Sequence, residues 1–256
     1  MNVEAITVLL IRFARRHRTT FTEISQRQSM QLELGAVVGV QEHYRASGFG
    51  IEVINPPGSS QFVVKTSTRG APWNYSRIRA VLHDDAVDIH MNLMVRGAHD
   101  DGIYCVDVGV TSPNAIPAKN PTKGKWLCLD NKDLRSFAEV KRLVVYPMLL
   151  AQFVGIVHEI KPRFLRPPAR RKYGRHGHIP PTLIVLGHFS GNSAEIVRAY
   201  PERGFQINIA ENFDVRVAWS RNEETRSPLY WGDESKAPQM DPKKVAEALI
   251  AELAEA

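Results

Sequence analysis

The sequence predicts an α/β protein, a mixed β-sheet flanked by helices and folded as one domain over residues 1–256, with its core at about 26–220. Three observations lead there. Two segments near the start carry apolar residues at helical spacing, a long run of strand-like segments follows, and after Pro147 strands and helices alternate. Consecutive strands pair antiparallel, whereas strand–helix–strand units pair parallel, so the two halves together make a mixed sheet.

In chain order, Val3–Arg16 places Ile6, Leu9, Leu10 and Phe13 on one helical face, and Gln26–Ser47 does the same with Met30, Leu32, Leu34, Val37, Val38 and Val40. Gly48 then supplies a C-terminal stop. Strands are expected at Phe49–Val53, Gln61–Thr66, Ile78–Leu82, Asp85–Val95 and Gly102–Thr111, the last two joined by a turn containing Asp101-Gly102. Ser112–Lys125 holds three prolines without periodicity and reads as a loop, followed by strands at Trp126–Asp130 and Arg135–Leu143. Pro147 suits the first turn of a helix. Met148–Ile160 is apolar on nearly every face, which predicts burial in the core or against a second copy of the chain. Thr182–Leu186, Phe205–Ile209 and Asp214–Trp219 read as strands, Asn192–Tyr200 as a helix opened by an Asn-x-x-Glu box, and Lys243–Glu255 as an amphipathic terminal helix.

Composition narrows the function classes. Hydrophobic residues make up 43% and charged residues 23%, the balance of a globular protein. No run approaches the roughly 18 apolar residues of a membrane span. The basic Arg15-Arg16-His17-Arg18 follows the apolar Ala5–Ile11 instead of preceding it, so a cytoplasmic, unprocessed chain without membrane partners is expected. Two cysteines, Cys105 and Cys128, make neither a disulfide framework nor a zinc site. A net charge of +6 points weakly to a polyanionic partner. Gly187-His188-Phe189-Ser190-Gly191 misplaces its serine for a hydrolase elbow, and no phosphate-binding or dinucleotide glycine loop is present.

Chemistry concentrates in Ser136-Phe137-Ala138-Glu139-Val140-Lys141-Arg142-Leu143. On a strand Glu139 and Lys141 share a face, with Phe137 and Leu143, while Ala138, Val140 and Arg142 take the other. An acid and a lysine side by side on an inner strand need compensation, because burying charge is expensive without partners. A divalent cation, a water and a phosphate would supply it. Upstream, Asp107 is the single acid in the apolar Ile103–Val110, and on a neighbouring strand it would converge with Glu139 on one Mg2+ or Mn2+.

An Asp in an apolar strand, a loop, then Glu-x-Lys on the next strand followed by a helix resembles the PD-(D/E)XK, or restriction-endonuclease-like, nuclease superfamily. The resemblance spans about residues 31–186. It implies that Asp107 and Glu139 bind the metal with the main-chain carbonyl of Val140, and that Lys141 assists the nucleophile. Val106 stands where the motif's proline would be. The family's helix glutamate falls on Glu33, with Glu42 competing. The implied activity is magnesium-dependent hydrolysis of phosphodiester bonds, in DNA before RNA, in restriction, antiviral defence or repair. A homodimer and an activating ligand or partner protein fit that reading. The alternative is a non-catalytic nucleic-acid-binding or scaffold subunit with an idle site.

Arg163, Arg166, Arg170, Arg171, Lys172 and Arg175, with Lys161, Phe164 and Tyr173 among them, form an acid-free stretch suited to phosphate contact. Asp130 and Asp133 read as turn residues, with Asp130 the substitute should Asp107 fail. His176 and His178, and the triplets His83–Asp85 and His99–Asp101, are assigned no metal.

Overall fold

Seven strands form one sheet in sequential order: β1 (Gly50–Ile54), β2 (Arg77–Leu82), β3 (Asp85–Arg96), β4 (Ile103–Thr111), β5 (Leu134–Lys141), β6 (Thr182–Val185) and β7 (Asn208–Ala210). This computed structural model describes Phe13 and residues 28–117, 128–167 and 178–211. The expected elements Asp214–Trp219 and Lys243–Glu255, and all of Val3–Arg16 but Phe13, lie outside them. β1 to β5 pair antiparallel, and β5, β6 and β7 pair parallel, which gives the mixed α/β architecture.

Helix α1 (Gln28–Ala46) precedes the sheet, α2 (Pro147–Ile160) links β5 to β6, and α3 (Ser193–Arg198) links β6 to β7. Gly48 ends α1 with φ +89°, the left-handed geometry expected of a glycine stop. Two cores result. Leu32, Leu34, Val37, Val38 and Val40 of α1 pack on Ile78, Ile89, Val108, Val110, Ala138, Val140 and Ile184. On the other face, Leu149, Leu150, Phe153 and Val157 of α2 and Val197 of α3 cover Val106, Phe137, Leu183, Val185 and Ile209. Each fully buried aliphatic side chain there contributes about 1.5–3 kcal/mol. Both crossover helices lie on one face, as two successive crossovers of the same hand require.

Several sequence expectations are corrected. Phe62 and Val64 are buried as an alternating strand would be, but Gln61–Thr66 is not a strand. Its hydrogen bonds go to Ser76 and to the Asn92 side chain instead of a neighbouring ladder. Of Trp126–Asp130, Leu129 makes a single bridge to Val95, and residues 126 and 127 lie outside the description. Phe205 and Gln206 donate to Tyr200 and Phe164, so the last strand starts only at Asn208. Asn192 accepts from Glu195 and Ile196 through its carbonyl and makes no side-chain cap. Helix α2 buries one face, while Met148, Ala151, Gln152 and Gly155 are exposed. Among the described residues no helix is long and apolar enough to cross a membrane.

Candidate functional site

The β4–β5 ladder runs from Thr111–Leu134 to Val108–Ala138 and stops. Beyond that point β4 stays with β3, down to Arg96–Ile103, and β5 stays with β6, up to Lys141–Val185. The sheet therefore forks, with Asp107 and Glu139 on its two prongs.

A twist in the neighbouring hairpin opens this fork. Val87, Ile89 and Met91 of β3 contribute to the first core, but Leu93 and Val95 to the second. Residues two apart keep one face in a regular strand. The switch falls at Asn92, whose φ is +48°. Strand β4 switches in parallel, Val108 to the first core and Val106 to the second, around Asp107. Gly109 permits it, since a Cβ there would lie 2.7 Å from Leu93 Cδ2.

Four groups meet at the fork. Asp107 Oδ2 accepts the Val140 N–H at 2.7 Å, taking the place of a ladder bond. Lys141 Nζ donates to Glu139 Oε2 at 3.0 Å and lies 3.5 Å from Asp107 Oδ2. Glu139 is only 5% exposed. Its other oxygen, Oε1, is buried without a hydrogen-bond partner among the described residues. Lys141 turns its carbonyl to β6, where it accepts from Leu186. By strand alternation Val140 turns its own carbonyl toward the fork.

The charges do not balance. Burial, and then the nearby negative charge of Asp107, push the Glu139 carboxyl up to about 7 against the pull of Lys141. Lys141 is held above its ordinary value because Glu139 and Asp107 outweigh its own desolvation. Glu33 of α1 is raised by desolvation, lowered by its bond from Asn92, and raised again by Asp107. Asn92 Nδ2 donates to Glu33 Oε2 at 3.0 Å. Glu33, and not Glu42, is thus the helix acid near the fork. Glu42 is paired with Arg45, nine residues and roughly 13 Å further along α1.

These groups suit a hard cation that takes oxygen ligands and keeps waters. They do not form a cage alone, since among the described residues no three His, Cys, Asp or Glu side chains gather as a metal site would. Two carboxylates, one of them with its Oε1 orphaned among the described residues, and the Val140 carbonyl are instead a partial set of oxygen donors.

Other expected residues lie elsewhere. Asp130 pairs with Arg96 and Lys132 beside the one-turn helix Asn131–Asp133. Arg163 donates to the carbonyl of Arg135, near the first residue of β5, and lies over Phe164. That is roughly 20 Å along β5 from Lys141, because α2 carries the chain back to the strand's start. Arg166 follows Arg163 at the end of the short helix Pro162–Leu165. Arg170, Arg171, Lys172 and Arg175, with His176, lie outside the described residues. His178 sits against Tyr44 and Asp85, His83 is in the β2–β3 turn, and His99 stacks on His158. Cys105 and Cys128 are half-buried free thiols.

Sequence reasoning missed Asn92 and Lys65. Lys65 Nζ donates to the Asn92 carbonyl at 2.8 Å, and burial lowers it to about 8. The available signal was polar residues, Asn92 and Lys65, within otherwise apolar stretches. Comparison with known protein families, curated proteins and solved structures finds no match for the chain.

Proposed function

We propose that the protein is a Mg2+- or Mn2+-dependent endonuclease of restriction-endonuclease-like fold, hydrolysing phosphodiester bonds of DNA in preference to RNA. What carries the reading is the convergence of Asp107, Glu139 and Lys141 at the fork, with one Glu139 oxygen left unpartnered among the described residues. Support comes also from the order of parts: a helix bearing an acid, an antiparallel strand bearing Asp107, Glu-x-Lys on the next strand, then a helix and a parallel strand.

Asp107, Glu139 and the Val140 carbonyl would hold the cation, which supplies charge neutralisation and polarisation of the scissile phosphate. Lys141 is protonated in its ion pairs, so it acts as a donor and a positive charge and not as a general base. From its position it orients the attacking water and stabilises charge developing on the phosphate. Water would form the new bond to phosphorus as the bond to the departing deoxyribose oxygen breaks, the water's proton passing to bulk solvent and the leaving oxygen taking one from solvent. Glu33 adds negative charge on the α1 side. The exposed cations at Arg135 and Arg163 lie too far to touch the same phosphate, and hold the flanking backbone in this scheme.

One observation favours the rival, an idle nucleic-acid-binding subunit. Lys141 already neutralises both carboxylates in part, as a closed ion cluster would. Supercoiled plasmid incubated with Mg2+ or Mn2+ separates the two. Nicking by the native chain and none by Lys141→Ala supports the nuclease. Salt-sensitive binding without cleavage in either metal supports the rival, and equal cleavage by both proteins removes the fork from the chemistry.

A further inference from the structure

The twist that opens the fork is centred on a residue with an unusual conformation and an unusual set of bonds. Asn92 sits inside a twelve-residue strand with φ +48°, a region that side-chain-bearing residues adopt only as single positions held by their surroundings. Its amide nitrogen donates twice, to Glu33 Oε2 at 3.0 Å and to the Lys65 carbonyl at 2.8 Å. Lys65 answers with its own Nζ, which donates to the Asn92 carbonyl at 2.8 Å. Asn92 lies in the gap between the Met91–Val108 and Leu93–Val106 pairs, across from Asp107. A buried lysine, a strained strand residue and a helix carboxylate are thereby locked into one unit.

We propose that Asn92 is a positioning residue for the fork, holding Glu33 of α1 toward Asp107 and Lys141 through its side-chain amide; this rests on the nuclease reading above. Asparagine meets three demands together. It tolerates the left-handed backbone, it supplies two donor hydrogens, and it is uncharged. Glycine would keep the backbone and lose both donors. Aspartate would keep the size and backbone preference but set a third carboxylate against Glu33. Lys65 secures the conformation from below and leaves the Asn92 amide for Glu33.

A purely structural role predicts a loss of stability and nothing else. The positioning role predicts that Asn92 works through Glu33, which a double-mutant cycle detects. The full chain, with Mn2+ alone as the probe, is titrated calorimetrically for the native protein, Asn92→Gly, Glu33→Gln and the double variant. Cleavage of a labelled oligonucleotide duplex follows in parallel, and circular dichroism checks each fold. Asn92→Gly is expected to weaken Mn2+ binding by about tenfold, the usual effect of removing a partner that orients an acid at a metal site. kcat falls while KM for the duplex holds, and the substitution adds little once Glu33 is Gln. If Asn92→Gly fails to fold, Asn92→Asp takes its place and is expected to lose more.

Native Mn2+ affinity in Asn92→Gly overturns the proposal, as does a loss of equal size with and without Glu33. Native protein that binds Mn2+ with the Asn92–Glu33 coupling yet cleaves nothing removes the nuclease reading and keeps the positioning role. Native protein that binds no Mn2+ removes both.

Discussion

Asp88 on β3 and Glu139 on β5 are both sealed from solvent, at 0% and 5% exposure, yet their surroundings differ in kind. Asp88 is saturated. Arg77 and Arg79 donate three times to its two oxygens, Arg79 Nε at 2.7 Å, and the Asn114 N–H adds a fourth bond. Desolvation raises its carboxyl, but Arg79, His90 and Asn114 outweigh that and leave it below the ordinary range. Among the described residues Glu139 has one ammonium, shared with Asp107, and an oxygen with no partner. Its carboxyl ends up raised, not lowered. The same sheet thus builds one acid cluster as a closed structural tie and leaves another short of positive charge. Shortage of charge at a fork open to solvent on the Asp107 and Lys141 side is what a cation-binding site requires and a structural tie does not.

Substitutions at the two clusters should therefore separate stability from function. The largest effect falls on Asp88→Asn, which strands two half-buried guanidinium groups and is expected to cost about 3–5 kcal/mol in denaturant unfolding, with Mn2+ binding retained in the folded fraction. Next comes Lys141→Ala, which should lower plasmid cleavage by about 10²–10³-fold, or roughly 3–4 kcal/mol in the barrier, with the far-ultraviolet circular dichroism unchanged.

The pH dependence carries opposite signs. Glu139 lies above its ordinary 4.5, up to about 7, so the folded state binds the extra proton between those values. Its contribution to stability is lost as pH rises through that window, and Glu139→Gln should gain on the native metal-free protein by about pH 8. Asp88 lies below its ordinary 3.8, so its contribution is present above that value and disappears as pH falls through the depressed one. His90 and His43, both lowered to about 4 by burial, add to the acid loss between 6.5 and 4. The difference between native and Glu139→Gln unfolding curves removes that shared background. The smallest effect is expected for Arg163→Ala, which should weaken duplex binding evenly across sequences and reduce the salt slope by about 1, with the cleavage step unchanged.

Much of this contrast was readable before folding. Alternation placed Glu139 with Lys141 and opposite Val140, and the isolated acid at Asp107 marked the facing strand. Strand–helix–strand order after Pro147 gave the parallel half of the sheet. Asp88 escaped because nothing in Asp85–Val95 shows that arginines two residues apart on β2 face it; that depends on the β2–β3 register, which pairs Arg79 with Asp88. Asn92 left only the mark of a polar residue in an apolar strand, and its left-handed backbone is not legible locally when the residue is not glycine. Of the basic stretch, Arg163 lies away from Lys141, because α2 has returned the chain to the other end of β5.

A calorimetric titration of Mn2+ into the metal-free native protein, beside Glu139→Gln and Asp88→Asn, tests the account most directly. Saturable binding by the native chain and by folded Asp88→Asn, absent or weakened by about tenfold or more in Glu139→Gln, is the predicted result. Equal binding by Glu139→Gln and the native chain, or no binding by any of the three, would contradict it.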